Sequence, residues 1–131
     1  MKIAVVGSRS INDKELVWKF MEECHDFEPE YDKIISGGAR GVDSFAEEYA
    51  KLHKIRTCIF KPDWEKYGKN AGFIRNADII GKCDKCICIW DGESKGTLHD
   101  IELCEEMGKP CYIYNLKEHV KDFPEENLFG F

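Results

Sequence analysis

Short runs of β-branched and apolar residues alternate along this chain with longer stretches in which apolar residues recur three and four apart. The first run, residues 2–6 (KIAVV), predicts a buried strand. Leu16, Val17, Phe20, Met21 and Cys24 then fall on one helical face, with Ser10 or Asn12 as the expected cap. Residues 26–32 hold Pro29 and end that helix. Residues 33–35 predict a second strand. Val42, Phe45, Ala46, Tyr49 and Ala50 make the stripe of a second helix that stops near His53, and residues 56–60 (RTCIF) a third strand. A loop is expected over 61–70 (KPDWEKYGKN), then a helix over 71–80 with Phe73, Ile74, Ala77 and Ile80 inward. Residues 83–90 (CDKCICIW) predict strand four. A helix over 97–107 follows, with Leu98, Ile101, Leu103 or Cys104, and Met107 inward, Gly108 as C-cap and Pro110 as stop. Residues 111–114 (CYIY) predict strand five. The stretch after 115 has no clean period and is expected to add at most a short helix or lid.

Strand and helix in strict alternation, joined by short links, mean a parallel sheet covered on both faces. The expectation is an α/β fold: one Rossmann-like, doubly wound domain over residues 1–115, its five-stranded, mainly parallel sheet in the order 3-2-1-4-5, with a tail over 116–131. Ligands of such sheets bind outside the carboxyl ends of the strands, where the order reverses. That edge gathers four loops: Gly7-Ser8-Arg9, the turn SGGARGVD (36–43), the loop over 61–70, and DGESKG (91–96). Glycines such as Gly37, Gly38, Gly41, Gly92 and Gly96 let a ligand approach backbone amides, and a helix N-terminus behind them favours an anion. Of the four arginines, Arg9 and Arg40 fall in these loops and Arg75 early in the helix leaving a third, with only Arg56 elsewhere. A forked guanidinium suits phosphate oxygens.

Composition narrows the choice. The chain has 131 residues, 43% hydrophobic and 34% charged, and a net charge of −6. That balance disfavours a general nucleic-acid binder, which needs a basic face. No apolar run is long enough to span a bilayer, and the apolar run at the N-terminus is too short for a signal peptide. Seven cysteines without a secretory signal read as free thiols in a reducing cytoplasm. Cys83, Cys86 and Cys88 lack the four spatially placed ligands of a structural zinc site, so core packing is expected, with no metal and no cofactor. His99 reads as an exposed helix residue, with acid–base chemistry as the alternative. Glu102, Glu105 and Glu106 read as a solvated face. Trp64 and Tyr67 suit base stacking or a contact between chains, and with Trp18, Phe129 and Phe131 they suggest a homodimer or larger homo-oligomer.

Three motifs, in this order and spacing, resemble the SLOG superfamily, and among its members the small stand-alone proteins related to YpsA. SGGARGVD resembles its glycine-rich loop, AGFIRNADII (71–80) its arginine-bearing helix, and DGESKGTLHDIE (91–102) the PGGxGTxxE signature of LOG-type phosphoribohydrolases. KPDW (61–64) is similar to the small members, and the resemblance spans residues 2–114. DNA-processing protein A belongs to the same superfamily. The resemblance implies a nucleotide or nucleotide-derived, ADP-ribose-like ligand at Gly7, Ser8, Arg9, Gly37, Gly38, Arg40, Gly41, Asp43, Trp64, Arg75, Asn76, Asp91, Gly92, Gly96 and Thr97. The protein would act as a sensor or sequestering protein. The alternative it implies is hydrolysis of a nucleoside 5′-monophosphate, with Asp100 and Arg75 catalytic. Asp100 stands where those enzymes carry glutamate, and Asn76 where they carry lysine. Single-stranded DNA binding is the least favoured reading.

Overall fold

The computed structural model describes residues 1–119. Its elements run β1 (Lys2–Gly7), α1 (Lys14–Cys24), β2 (Lys33–Ser36), α2 (Val42–Leu52), β3 (Arg56–Ile59), α3 (Trp64–Tyr67), a 3-10 turn (Gly68–Asn70), α4 (Ala71–Lys82), β4 (Lys85–Trp90), α5 (Lys95–Met107), β5 (Cys111–Asn115) and α6 (Leu116–His119). The five strands form one sheet in the order β3-β2-β1-β4-β5, and every pairing is parallel. This is the expected doubly wound α/β architecture.

Period-two alternation divides the core. Ile3 and Val5 of β1 and Ile87 and Ile89 of β4 face one way, packing with Val17, Phe20 and Met21 of α1 and Val42, Ala46 and Tyr49 of α2. Ala4, Val6, Cys86 and Cys88 face the other way, toward Ile79 and Ile80 of α4 and Leu103 and Cys104 of α5. In register, Val5 lies beside Ile87 and Val6 beside Cys88. Among the described residues, no helix is long and apolar enough to cross a membrane.

Several local expectations are corrected. Helix α1 is capped by Asp13, whose side chain accepts from the Leu16 amide, and not by Ser10 or Asn12. The loop over 61–70 carries α3, because Asp63 accepts from the Lys66 amide and nucleates a turn. Strand β4 starts at Lys85, two residues late, and α5 starts at Lys95, capped by Ser94, so Gly96 lies inside its first turn. The inward faces of the last two long helices are rotated from the apolar stripes. Helix α4 buries Ala71, Asn76, Ile79 and Ile80 and leaves Phe73 half-exposed. Helix α5 buries Thr97, Asp100, Leu103 and Cys104 and leaves Leu98 and Met107 out. Trp18 is withdrawn from the expected contact surface: it packs edge-on to Tyr49 and donates its Nε1–H to the Phe45 carbonyl. Of the expected tail, residues 120–131, with Phe129 and Phe131, lie outside the described residues.

Candidate functional site

The strand order reverses between β1 and β4, and the loops leaving both meet there. β1 ends in a glycine, Gly7, because nothing larger fits: a Cβ would lie 2.3 Å from the Ile89 carbonyl oxygen and 2.5 Å from Val42 Cγ2. Ser8 follows, fully buried. Its Oγ accepts from the Asp91 amide at 3.1 Å and shares a hydrogen bond of 3.2 Å with Thr97 Oγ1. Ser10 Oγ donates to Asp91 Oδ2 at 2.7 Å. The first loop is thereby tied to the fourth.

The SGGARGVD turn makes its bend at Gly38 and Gly41, with φ of 72° and 79°, a region closed to most L-residues. Its amides are turned on its own side chains. Gly38 N–H donates to Ser36 Oγ at 3.2 Å, and Ala39 N–H to Asp43 Oδ2 at 3.2 Å. Arg75 clamps the turn from α4, its Nη1 donating to the Gly37 carbonyl at 2.7 Å and its Nε to Asn76 Oδ1 at 3.0 Å. Asn76 Nδ2 in turn donates to the Gly96 carbonyl at 3.3 Å, joining α4 to α5. In the fourth loop Asp91 Oδ1 accepts from the amides of Glu93 and Ser94, at 2.9 and 2.7 Å. In both turns a side-chain oxygen holds amides that an anion would otherwise take.

Between these loops lies a cavity of about 550 Å³, lined among others by Gly7, Arg9, Arg40, Asp43, Trp64, Arg75, Asn76, Asp91, Gly96, Thr97 and Asp100. The sequence profile of the YspA, cpYpsA-related SLOG family matches residues 1–67, just over half of the chain. The chain belongs to that family. Gene 61 protein of Mycobacterium phage D29 is 29% identical over 122 residues, covering 88% of this chain and 98% of its own. DNA processing protein A of Helicobacter pylori, described for its single-stranded DNA binding mode, superposes with a TM-score of 0.68 at 21% identity over 86% of this chain. The Streptococcus pneumoniae protein of that name gives 0.67 at 21% over 86%. This SLOG chain spans 64% and 49% of those two structures. TM1055 gives 0.67 at 16% identity, covering 97% of this chain and 88% of its own. These superpositions show a shared fold.

The SLOG profile ends before α4 and α5, which carry Arg75, Asn76, Thr97 and Asp100. Of the residues expected at the site, Ser8, Gly37, Gly38, Gly41 and Gly92 do not line the cavity. Ser8 and Gly37 brace it instead, and Gly92 is backed by Lys117, whose Cβ would lie 2.4 Å from an added Cβ. Lys69, Phe73, Ser10 and Ser94 line it without having been expected to. Lys69 was legible as a cation in an edge loop. Phe73 was hidden by its apparent place in the α4 stripe. His99 is half-buried outside the lining, edge-on to Phe73 with its Nδ1 3.4 Å from Asn76 Nδ2.

Two buried carboxyls set the electrostatics. Burial pushes Asp43 up to about 6, against the pull of the Ala39 amide and Arg75. Burial, then the charge of Asp43, holds Asp100 well above the ordinary carboxylate range, with Arg75 opposing. Asp100 Oδ1 is buried and has no hydrogen-bond partner among the described residues. Asp91 goes the other way: burial opposes its charge, but hydrogen bonds from Ser10 and the Ser94 and Glu93 amides hold it below the ordinary value. The cavity thus sets Arg9, Arg40, Lys69 and Arg75 against two acids that charge reluctantly.

Proposed function

We propose that the cavity binds a nucleotide or a nucleotide-derived, ADP-ribose-like molecule, and that the protein works as a sensor or sequestering protein. The observation that carries this reading is the single cavity in which three arginines and a lysine line up with exposed Trp64 and Phe73 and with buried Asn76, Thr97 and Asp100. Guanidinium groups take phosphate oxygens in charge-assisted pairs. Aromatic faces take a base, and buried acceptors take ribose hydroxyls. Because loop amides already hold Ser36, Asp43 and Asp91, the phosphate relies on side-chain cations more than on a glycine-loop cradle. Calorimetry against the four nucleoside monophosphates, ADP-ribose and a short single-stranded oligonucleotide tests it. Micromolar binding of a mononucleotide or ADP-ribose is expected. Binding of the oligonucleotide alone, or of none of them below millimolar, would reject it. The net charge of −6 argues against the oligonucleotide.

One observation favours a second reading, hydrolysis of a nucleoside 5′-monophosphate to free base and ribose 5-phosphate. Asp100 offers a buried oxygen without a partner and a carboxyl that holds its proton unusually well. Ionised, it would steady the positive charge that builds on the ribose or orient the attacking water. Protonated, it would donate toward the departing base. Arg75, already fixed by Gly37 and Asn76, has donors beyond those two for the sugar or phosphate. Chromatography of free base, beside an Asp100→Asn variant, tests this. Release that survives the substitution removes Asp100 from the chemistry, and binding without release leaves the sensor reading.

A further inference from the structure

Two strands and a helix that follow one another in the chain bring three thiols together behind the candidate site. Cys86 lies on β4 and Cys111 begins β5, and the two are direct neighbours in the parallel register. Cys104 comes down on them from α5, one helical turn beyond Asp100. All three Sγ atoms lie within 4.8 Å of one another. All seven cysteines of the chain are free thiols.

We propose that Cys86, Cys104 and Cys111 form a binding site for one thiophilic d10 metal ion, held as a three-thiolate centre between β4, β5 and α5. The geometry fits that occupant. A metal about 2.3 Å from each of three sulfurs in a plane holds them about 4 Å apart. The sulfurs lie within 4.8 Å of one another, less than an ångström above that spacing at most, so small side-chain shifts would bring them to one ion. Thiolates select soft ions such as Cu(I) and zinc-group ions over hard ones. Three ligands, with no fourth grouped with them among the described residues, suit an ion content with trigonal sulfur coordination. Cys86 and Cys104 are buried, whereas Cys111 is half-buried at the strand's start and gives an entry path. Lys109 donates its ammonium to the Cys83 carbonyl at 2.7 Å beside the cluster, a fixed cation to offset the negative charge of the loaded centre. Core packing alone accounts for burial of these cysteines. It does not require three sulfurs from three elements to converge within 4.8 Å of one another. Ion uptake releases the thiol protons, so affinity rises with pH.

The test titrates reduced, metal-free protein with Cd(II), and separately with Cu(I) under anaerobic conditions. The readout is ultraviolet sulfur-to-metal charge-transfer absorption, with metal analysis after desalting. The expected result is one ion per chain for at least one probe. Binding should be lost in both Cys104→Ser and Cys111→Ser and kept in Cys24→Ser, which removes a thiol outside the cluster. Cys111→Ser changes a half-buried position, and its far-ultraviolet circular dichroism shows whether loss of binding is loss of fold. No absorption with either probe, or absorption that persists in folded Cys111→Ser, overturns the proposal. A nucleotide-binding assay on the same samples is independent of this outcome.

Discussion

Beneath α1 and α2 the sheet presents Ile3, Val5, Ile34, Ile87 and Ile89, and the rings of Phe20, Tyr49, Tyr114 and Trp18 interlock edge-on above them. Beneath α4 and α5 the same strands present Ala4, Val6, Ile35, Cys86 and Cys88, and the helices reply with Asn76, Thr97, Asp100 and Cys104 among their buried residues. One side buries large apolar groups almost throughout. The other mixes Ile35, Ile79, Ile80 and Leu103 with small side chains and leaves space at the carboxyl edge for polar groups that are costly to bury. Most of the site's chemistry, as proposed, sits on the side expected to contribute less to stability, with Asp43 of α2 the exception. A sheet with two faces can divide the labour in this way because alternate residues of one strand answer to different neighbours.

Substitutions on adjacent residues of β4 test that contrast most sharply. Ile89→Ala should cost about 2–5 kcal/mol of stability, by lost burial plus a cavity. Cys88→Ala, one residue earlier and on the other face, should cost about 1 kcal/mol. Urea unfolding of the two variants measures both, and equal losses would erase the distinction between the faces.

Titration probes the cost of the polar side. The folded protein holds the Asp43 proton up to about 6, against an ordinary 3.8. Between those values the folded state binds more protons than the unfolded chain, so stability falls as pH rises. The penalty is absent below about pH 4 and complete above about pH 6, where it amounts to about 3 kcal/mol. Asp43→Asn keeps an acceptor for the Ala39 amide and cannot ionise. Its melting temperature should therefore gain on the parent's as pH goes from 4 to 7, and a constant gap would refute the burial argument.

Arg75 joins the proposed binding to structure. Arg75→Ala should weaken nucleotide binding by about 1.5–3 kcal/mol, the worth of a charged hydrogen bond. It should also lower stability by about 1 kcal/mol, because the Gly37 carbonyl loses its donor. Calorimetry and thermal melting separate the two, and a change in melting alone would make the residue purely structural. Trp64→Ala is the mildest change. Trp64 is 54% exposed, so stability should not move, while loss of stacking should cost about 1–3 kcal/mol of binding to a base-containing ligand. Unchanged affinity would remove Trp64 from the contact.

The sheet and its order were legible because β-branched runs and short links leave few topologies open. The faces of α4 and α5 were not. Periodicity assigns burial to the most apolar stripe, and here Asn76, Thr97 and Asp100 take positions that Phe73, Leu98 and Met107 would have claimed. Thr97, Asp100 and Cys104 are three and four apart, so they form a helical face of their own, visible once polarity is no longer required to point outward. Helix α3 was hidden because residues 61–70 have no apolar period, although Pro62 and Asp63 carry the signal of a capped start. The thiol cluster was hidden for another reason. Cys83, Cys86 and Cys88 are close in sequence, yet Cys86 is joined instead by Cys111, through the sheet register, and by Cys104, from α5.

The hydrogen bond between Ser8 and Thr97 spans 89 positions of the chain, and the one from Ser10 to Asp91 spans 81. β1 itself finds β4 only across that interval. Loop entropy makes contacts so distant the ones expected to close last, after the nearer pairs β1–β2 and β2–β3. The first 67 residues can therefore fold toward a three-stranded fragment that bears the glycine-rich turn and no complete cavity. The proposed ligand site would then be completed in a single late event, when β4 docks against β1 and carries the start of α5 onto Ser8.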